Sequence, residues 1–458
     1  MILDLDQLEQ RFGARDALVS PHGVTTYAQL VERVRERVAE LARQGVGRGE
    51  RVALVCAQEI DVVVSVLALL ERGCILLPLG GATPPPERER LARAFRATWV
   101  LDGVPPAAPR ASLAGPEADG PTGEGLVLAL ASSGSTGAPK LVLHTAQQLR
   151  ARVDSFLRAL ALRCEDRVLA VVPLEHAFGQ TLLLGALRAG ACLVFPASPH
   201  PRGIARITAE QGLTLLPGPA TLFELMARHR REGWPALAGA RAAMSAASAL
   251  SLATHAAFTA AFGIPLWQSY GANEAGGICL NRSGASRAGE LALGEPYPGV
   301  EVAICDAEGR ELPEGTTGDI VVRTPALALG YQGDADGASR IAEGRFFTGD
   351  LGMRRGGLFF FRGRRKLMIE WAGRKVNPLE VEHALRRHPD VEDAAVVAHP
   401  TPGRDVVKAI VVARRPVAAE ALMEFCGRDL APYKVPRIVE FRASLPRNAL
   451  GKLAREEL

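Results

Sequence analysis

The sequence predicts an α/β protein with a second, smaller α+β part. At 458 residues and 48% hydrophobic content, the chain has enough apolar material for more than one core. Short apolar runs alternate with helix-like stretches in the first part, which favours buried, mainly parallel sheets with helices on their faces. After Glu301 the pattern changes to short strands separated by Gly and Asp turns.

The elements of the first part are predicted from these alternating runs. The strand-like runs are 51–56, 74–78, 168–172 and 191–195. The helix-like stretches are 27–44, 60–71, 146–162 and 180–189. The intervening segment 81–125 is rich in Pro, Gly and Ala, and we expect surface connections at 84–86 and 105–125.

The second part has a different order of elements. Short strands at 300–305, 319–323 and 358–362 indicate a small β-rich subdomain. A smaller α+β unit follows, with a helix at 378–387, strands at 391–398 and 406–413, and a helix at 418–430. The break between the large and small domains falls near Gly363–Lys366.

Composition narrows the class of function. The formal charge of +4 is spread through stretches of mixed sign, which argues against nucleic acid and favours a small substrate. The acidic start 1–6 lacks a signal-peptide pattern, and the longest apolar runs, 62–70 and 181–187, are shorter than the roughly 20 residues of a membrane span. The seven cysteines include no Cys-x-x-Cys. We expect a cytoplasmic protein with reduced, buried thiols, such as Cys56, Cys192 and Cys305.

A Gly/Ser/Thr-rich loop follows the strand-like run 126–130. Its hydroxyls, glycines and single lysine suit polyphosphate, because small residues let backbone N–H groups approach phosphate oxygens. It is not a Walker A loop, since Lys140 is followed by Leu141 and not by Ser or Thr. The loop consists of Ser132, Ser133, Gly134, Ser135, Thr136, Gly137, Ala138, Pro139 and Lys140.

Lysine is rare in this chain, and most of its lysines lie in motifs. Only six of the 54 basic residues are lysine. Four of these six lysines fall within a series of short motifs spread along the chain. The motifs lie at 132–140, 173–179 (PLEHAFG), 270–274 (YGANE), 348–350 (TGD), 363–366 (GRRK), 433–436 (YKVP) and 446–452 (PRNALGK). In these motifs the chain resembles the acyl-adenylate-forming superfamily: AMP-forming acyl- and aryl-CoA synthetases, stand-alone adenylation domains and luciferases.

The resemblance implies a domain organisation. It implies an N-terminal AMP-binding domain of stacked sheets over residues 1–363 and a mobile C-terminal domain over 364–458. The interdomain hinge would lie near Lys366, and Gly373 would line the path of the incoming thiol.

The resemblance also implies how ATP and Mg²⁺ are bound. Ser133, Ser135, Thr136 and Gly137 would clasp the β- and γ-phosphates beside Lys140. Tyr270 and Gly271 would adjoin adenine, Glu274 would bind Mg²⁺, and Asp350 with Arg364 would hold the ribose. Asn273 departs from the family, which usually has Thr at the α-phosphate. Lys452 would bridge the carboxylate and the α-phosphate during adenylation.

An acid pocket is implied around the Pro-Leu-x-His-x-x-Gly motif. His176, Phe178, Thr181, Ala246, Ala247 and Ser248 would line it. His176 also fits a core histidine. The run 244–250 has small side chains where the family has Ser-Gly-Gly-Ala-Pro-Leu, so the family's glycines are missing. The family's amino-acid-activating members place Asp near this motif, whereas here the nearest carboxylate, Glu175, is expected to point away.

Together these features predict an ATP-dependent acid:thiol ligase that forms an acyl-AMP and then a thioester. Coenzyme A is the favoured acceptor. A stand-alone enzyme that loads the phosphopantetheine of a carrier protein shares every motif. A non-catalytic acyl-adenylate-binding homologue is an alternative of another class, suggested by Asn273 and by the altered stretch at 245–250. Taken singly, Lys140, Glu274, Asp350 and Lys452 also fit ordinary surface or turn residues.

Overall fold

The computed structural model describes residues 2–56, 60–102, 125–132, 140–287, 289–332, 340–371, 374–401, 404–447 and 453–458. Its helices are α1 Leu5–Phe12, α2 Tyr27–Arg43, α3 Ile60–Glu71, α4 Pro85–Phe95, α5 Ala146–Leu160, α6 Ala177–Ala189, α7 Pro201–Gln211, α8 Ala220–His229, α9 Leu252–Phe262, α10 Pro378–Arg386 and α11 Ala419–Gly427.

The strands are β1 Asp16–Ser20, β2 Gly23–Thr26, β3 Arg51–Cys56, β4 Ile75–Gly80, β5 Trp99–Asp102, β6 Leu126–Ser132, β7 Lys140–Thr145, β8 Arg167–Leu169, β9 Cys192–Val194, β10 Leu215–Pro219, β11 Ala242–Ala246, β12 Leu266–Ala272, β13 Gly276–Asn281, β14 Ser286–Arg287, β15 Glu290–Leu291, β16 Glu295–Pro296, β17 Glu301–Cys305, β18 Thr317–Arg323, β19 Gly330–Gln332, β20 Ile341–Ala342, β21 Arg345–Arg355, β22 Leu358–Arg364, β23 Ile369–Trp371, β24 Arg374–Val376, β25 Val391–Thr401, β26 Arg404–Ala413 and β27 Ile438–Phe441.

The chain divides into two units. The first comprises Met1–Val302, Val321–Phe347 and Gly357–Phe359, and the second comprises Ala303–Ile320, Thr348–Gly356 and Phe360–Leu458. The division passes through β17, β18, β21 and β22, so the small β subdomain contributes residues to both units. The hinge expected near Lys366 lies close to the last crossing and stays a prediction.

Two large sheets form the first unit. One has the order β16-β13-β12-β11-β10-β8-β9-β1-β2, and the other has the order β19-β7-β6-β4-β3-β5. The pairs from β12 through β11, β10, β8 and β9 to β1 are parallel, as are those from β6 through β4 and β3 to β5. Helix α5 contacts β6 and β7 of one sheet and β13 of the other. Side chains on this helix can therefore reach the ends of strands from both sheets.

The second unit has its own core. Its last part contains the three-stranded sheet β25-β26-β27 and the hairpin β23-β24. Apolar residues of α10, α11, β25 and β26 pack into one cluster, which includes Val381, Leu385, Val396, Val411 and Leu422. This unit can therefore position side chains on α10 and β25 rigidly relative to one another.

The α/β class with mainly parallel sheets is confirmed. The connection expected at 84–86 is wrong, because Pro85 begins helix α4: proline is tolerated in a first helical turn, where its missing N–H has no partner to lose. Helix α6 begins at Ala177, three residues before its expected start at 180, and α11 ends at Gly427, three residues before its expected end at 430.

Six of the seven cysteines are buried, including Cys56, Cys192 and Cys305. Within the described part of the chain, no helix is both long and apolar enough to cross a membrane.

Candidate active site

The strands on either side of the predicted phosphate loop are paired. Strands β6 and β7 are antiparallel, with Ser132 opposite Lys140 at their ends. The connection therefore begins and ends at one point of the sheet, as expected for a loop that leaves a strand end. The predicted phosphate contacts Ser133, Gly134, Ser135, Thr136 and Gly137 lie outside the described residues. Lys140, partly buried, is the first residue of β7.

The end of β12 carries the Tyr-Gly-Ala-Asn-Glu motif. The β12–β13 pairing is irregular between Tyr270 and Gly271. A Cβ at Gly271 would lie 2.5 Å from the carbonyl oxygen of Gly276, so the tight return of the chain requires glycine there. The backbone N–H of Ala275 donates to the carbonyl of Ala272 at 3.3 Å. Asn273 and Glu274 therefore project from a turn between two paired strands.

Asn273 joins this turn to the start of the phosphate loop. Its Nδ2 donates to the carbonyl of Ala131 at 3.2 Å, and Ala131 directly precedes Ser132 at the end of β6. The residue that departs from the family pattern thus links the two large sheets. A threonine hydroxyl can also donate to a carbonyl, but it lies one bond closer to the backbone than Asn273 Nδ2.

Glu274 is held from two sides within the same unit. The Tyr331 hydroxyl donates to Glu274 Oε1 at 3.0 Å, and the backbone N–H of Ala328 donates to the Glu274 carbonyl at 2.7 Å. Both partners come from the segment around β19, which pairs with β7. The carboxylate therefore has a defined orientation close to the phosphate-loop strands.

A buried arginine behind this turn was not predicted from the sequence. Arg152 on α5 is 2% exposed, and its Nη2 donates to the Asn273 carbonyl at 2.6 Å. The same nitrogen lies 3.1 Å from Nε2 of the fully buried His144. Among the described residues, Arg152 Nε, Arg152 Nη1 and His144 Nδ1 have no hydrogen-bond partner.

The electrostatics of this pair follow from its burial. Burial, together with the nearby Arg152 charge, holds the pKa of His144 well below its usual value, so the imidazole stays neutral. Burial also lowers the pKa of Arg152, to about 10, against the opposing effect of the Glu274 carboxylate. Arg152 is therefore still a cation at neutral pH.

The sequence does contain a signal for Arg152. Its neighbours on α5 at helical spacing, Leu149, Phe156 and Ala159, are all buried. A charged residue on the apolar face of a helix needs a specific partner. The Arg152 side chain also requires glycine at position 276, because a Cβ there would lie 2.9 Å from Arg152 Cγ. The φ of Gly276 is +74°, which also favours glycine.

The predicted acid-pocket motif lies at the start of α6. His176 is the N-cap residue, and burial lowers the pKa of its imidazole. The Phe178 ring packs edge-on against Phe156 at 6.3 Å between centroids. Thr181 is buried, and its hydroxyl donates to the Ala177 carbonyl at 2.7 Å, so that hydroxyl is already engaged within the helix.

The motif's glycine has a steric cause. A Cβ at Gly179 would lie 2.1 Å from the carbonyl oxygen of Pro173, so the helix can pack against the preceding turn only with glycine at this position. Glu175 lies on the same turn, and its Oε1 is 2.7 Å from the position of a Cβ at Gly80. Burial raises the pKa of the Glu175 carboxyl.

The stretch 245–250, where the family has glycines, keeps a backbone conformation that favours glycine. Ala246 is the buried last residue of β11, and Ala247 follows with φ +66°. An L-residue in this region costs about 1–2 kcal/mol. The Ser248 hydroxyl accepts from the backbone N–H of Ala220 at 3.2 Å, at the start of α8. The backbone turn at 247 is thus retained despite the missing glycine.

The predicted ribose-binding pair is formed within the second unit. Asp350 is 5% exposed, and Arg364 Nε donates to its Oδ1 at 2.9 Å. The Thr348 hydroxyl accepts from the Asp350 backbone N–H at 3.1 Å and donates to the Ile320 carbonyl at 2.9 Å. The Thr-Gly-Asp motif therefore fixes the carboxylate on β21.

The expected hinge residue, Lys366, comes two residues after Arg364 in the chain. Lys366 lies in a short 3₁₀ turn over Arg365–Leu367, next to the ion pair between Arg365 and Asp319 at 2.5 Å. Gly373 and Lys452 lie outside the described residues.

Comparison with known proteins identifies the family. A family model described as AMP-binding enzyme matches residues 5–332, and one described as AMP-binding enzyme C-terminal domain matches residues 380–452. The chain belongs to the AMP-binding enzyme family. The resemblance seen in the sequence motifs is thereby confirmed.

Several named relatives are similar over most of the chain. It is 34% identical to the sulfoacetate–CoA ligase of Cupriavidus necator, over 75% of this chain and 67% of that protein. It is 28% identical to a chalcone synthase of Aspergillus candidus over 95% of this chain, yet it spans only 18% of that protein's length. The chain therefore corresponds to a segment of this longer relative.

Solved structures share the fold. An ATP-bound MatB from Rhodopseudomonas palustris superposes with a TM-score of 0.87 at 23% identity, with 99% of this chain and 97% of that chain covered. A benzoate CoA ligase from Burkholderia xenovorans superposes with a TM-score of 0.83 at 26% identity, covering 99% and 98%.

The residues of this AMP-binding enzyme fit a metal held jointly with a nucleotide. Among the described residues, no group of three or more His, Cys, Asp or Glu side chains could hold a metal by itself. Mg²⁺ is commonly bound by one or two carboxylates together with substrate phosphates. Glu274, fixed by Tyr331 close to the phosphate-loop strands, provides such a carboxylate.

Proposed function

We propose that this chain activates a carboxylic acid with ATP and then transfers the acyl group to a thiol, with coenzyme A as the favoured acceptor. In the first step a carboxylate oxygen attacks the α-phosphorus of ATP, and the bond to the bridging oxygen breaks to release pyrophosphate. In the second step the thiol attacks the acyl carbon of acyl-AMP, and AMP leaves.

One observation carries the proposal. The Asn273 side chain joins the turn that bears Glu274 to the end of the strand that begins the phosphate loop, through a 3.2 Å bond to Ala131. Two anions must be brought together for adenylation, so charge neutralisation and alignment dominate the chemistry. A carboxylate suited to Mg²⁺, on a turn that is bonded to the strand leading into a sequence suited to polyphosphate, would meet that requirement.

The predicted roles follow this arrangement. Lys140 and the loop after Ser132 bind the β- and γ-phosphates, and Tyr270 with Gly271 adjoins adenine. Mg²⁺ offsets phosphate charge when it is bound, and Glu274 holds it. Asp350 accepts hydrogen bonds from the ribose hydroxyls, and Lys452 stabilises the charge that develops during adenylation.

The acceptor is open to a direct test. Relatives named CoA ligases, such as those from Cupriavidus necator and Burkholderia xenovorans, support coenzyme A. The match to a short segment of a much longer fungal protein supports the alternative, because a domain within a larger chain can pass its product to a neighbouring carrier. Comparing free coenzyme A with a holo-carrier protein as acceptor of the acyl group separates the two.

A non-catalytic acyl-adenylate-binding role is the alternative of another class. Asn273 and the altered stretch at 245–250 suggest this alternative. However, the Asn273 side chain is hydrogen-bonded to the Ala131 carbonyl, and Ala247 keeps a positive φ. Pyrophosphate exchange into ATP that depends on an added acid would exclude this alternative. Absence of exchange with every acid tested would favour it.

The acid is expected to have a hydrophobic remainder. Phe178 and Ala246 are apolar, the Thr181 hydroxyl is already bonded, and the motif register directs the Glu175 carboxyl away from the ligand. An unpaired ammonium buried there would cost several kcal/mol, and about 1.4 kcal/mol is tenfold in rate or binding. In pyrophosphate exchange, 3-phenylpropanoate should therefore exceed phenylalanine, and 4-methylpentanoate should exceed leucine, by about tenfold or more.

These matched pairs differ only in the α-ammonium group, so size and shape are controlled. If either amino acid is the better substrate, the pocket assignment is wrong, and a carboxylate such as Glu175 must face the ligand. The relatives leave this point to experiment, because their names refer to acids as different as sulfoacetate and benzoate.

The hinge makes a separate prediction. Proline fixes φ, so Lys366→Pro should restrict any change of backbone angle between the two steps. Acyl-AMP formation should survive better than thioester formation from synthetic acyl-AMP. Lys366→Ala is the matched control, since it removes the same side chain but leaves φ adjustable. Gly373→Trp, which would narrow the thiol path, should show the same bias, and wild-type turnover by both Lys366→Pro and Gly373→Trp would rule out domain alternation.

A further inference from the structure

Backbone pairing joins the described residues on either side of 448–452, the stretch of sequence that includes Lys452. Arg447 and Leu453 form an antiparallel bridge, and the backbone N–H of Ala454 donates to the Pro446 carbonyl at 3.0 Å. Residues 448–452, here called the Lys452 segment, lie between these paired positions. Leu453, which follows Lys452 in the sequence, is one of the paired positions.

A buried ion pair anchors the chain just after the segment. Arg455 Nη2 lies 2.5 Å from Oε1 of Glu382 on α10. The Glu382 side chain is 1% exposed and that of Arg455 is 18% exposed. Arg455 Nη1 also donates to the Val396 carbonyl at 2.7 Å, and the Val396 N–H donates to Glu382 Oε1 at 2.9 Å. Arg455 therefore binds α10 and β25 at once.

A second ion pair anchors the chain just before the segment. Arg447 Nη2 lies 2.5 Å from Asp393 Oδ2, and Arg386 Nε donates to Asp393 Oδ1 at 3.0 Å. Arg386 also lies 3.5 Å from Glu382 Oε2. The two anchors are thus connected through one arginine of α10.

This arrangement is costly if stability is its only purpose. Burying a carboxylate and a guanidinium together usually gives little or no net stabilisation compared with an apolar pair. Such a pair does fix geometry, because the planar guanidinium holds two acceptors in a defined orientation. What it fixes here is the chain three residues from Lys452.

We propose that Arg455 and Glu382 are positioning residues that set the reach of Lys452 for the adenylation step. The inference rests on the proposed function, in which Lys452 acts in that step alone. Weakening the anchor should slow acyl-AMP formation and spare thioester formation from acyl-AMP. A purely structural role would lower both half-reactions together.

The test measures both half-reactions in the full-length protein. Arg455→Met should lower acyl-AMP formation by about tenfold, because a 1 Å misplacement can cost about a hundredfold and the backbone bridge remains. Thioester formation from synthetic acyl-AMP should stay within about twofold. Arg455→Lys, which keeps the charge but cannot hold both acceptors in the same way, should recover part of the loss. Glu382→Gln should resemble Arg455→Met.

Arg387→Met is the matched control. Arg387 follows the last residue of α10 and pairs with Asp429 at 2.7 Å, in the same unit but apart from the anchors. In Arg387→Met, the ratio of the rates of the two half-reactions should stay at the wild-type value. If Arg455→Met and Glu382→Gln change both half-reactions equally, or change neither, the positioning role is overturned.

A double variant separates this inference from the proposed function. If Lys452→Ala alone leaves acyl-AMP formation intact, the role of Lys452 itself is wrong. If Lys452→Ala is slow, adding Arg455→Met should cause little further loss, because the anchor would act only through the absent lysine. A full additional tenfold loss in that background would overturn the positioning role while leaving the proposed function in place.

Discussion

Lys452→Ala should lower acyl-AMP formation by at least about a hundredfold, the scale for removing one group that stabilises developing charge. The lysine would act on the carboxylate and α-phosphate only while they react. Thioester formation from synthetic acyl-AMP should therefore remain largely intact. Pyrophosphate exchange measures the first half-reaction, and release of AMP from acyl-AMP in the presence of coenzyme A measures the second.

Lys408→Ala is a suitable control for this experiment. Lys408 belongs to the same unit and pairs with Glu440 on the neighbouring strand β27, so its loss removes a lysine whose ion pair lies within the sheet. Both half-reactions should stay close to wild type in this variant. Equal loss of both half-reactions in Lys452→Ala would contradict the assigned role, because it would show that the lysine supports the fold or both steps alike.

Much of the first unit could be predicted from residue patterns. Strands such as β3 and β4 are buried on both faces, and this burial requires the continuous apolar runs seen in the sequence. Strand β6, which precedes the predicted phosphate loop, could be predicted from its continuous apolar run. Helix α4 was missed because consecutive prolines indicate a connection, although proline is also common in the first turn of a helix.

Other features depend on contacts between distant residues and cannot be derived from local pattern. Ala247 adopts a positive φ where the sequence offers no glycine, since the surrounding strands impose the turn. Tyr331 contacts Glu274 only because β19 pairs with β7. Likewise, Arg455 and Glu382 are far apart in sequence, and nothing near either residue indicates that they meet.

Arg152 illustrates how a local conflict can mark a functional residue. It lies on the apolar face of α5, where an apolar side chain would pack at lower cost. Its contacts instead serve the turn that bears Asn273 and Glu274. Natural proteins break local rules most often where function requires it.

Arg152→Met should therefore lower acyl-AMP formation by about a hundredfold, the scale of a displacement of about 1 Å at a reacting site. The variant removes the donor to the Asn273 carbonyl and the buried cation near Glu274. Methionine fills a similar volume, so the chain should still unfold cooperatively. The lost hydrogen bonds and the relieved burial of a charge affect the free energy of unfolding in opposite directions.

Two further variants decide the interpretation of that result. Arg152→Lys keeps the cation and should recover part of the activity, although an ammonium cannot reproduce the geometry of the guanidinium. Arg158→Met, on the same helix but exposed and 3.3 Å from the Pro298 carbonyl, should remain close to wild type. If Arg152→Met forms acyl-AMP at a rate near that of Arg158→Met, the buried guanidinium serves packing alone. If Arg152→Met is slow and Arg152→Lys recovers, the cation behind the Asn273–Glu274 turn is required for adenylation.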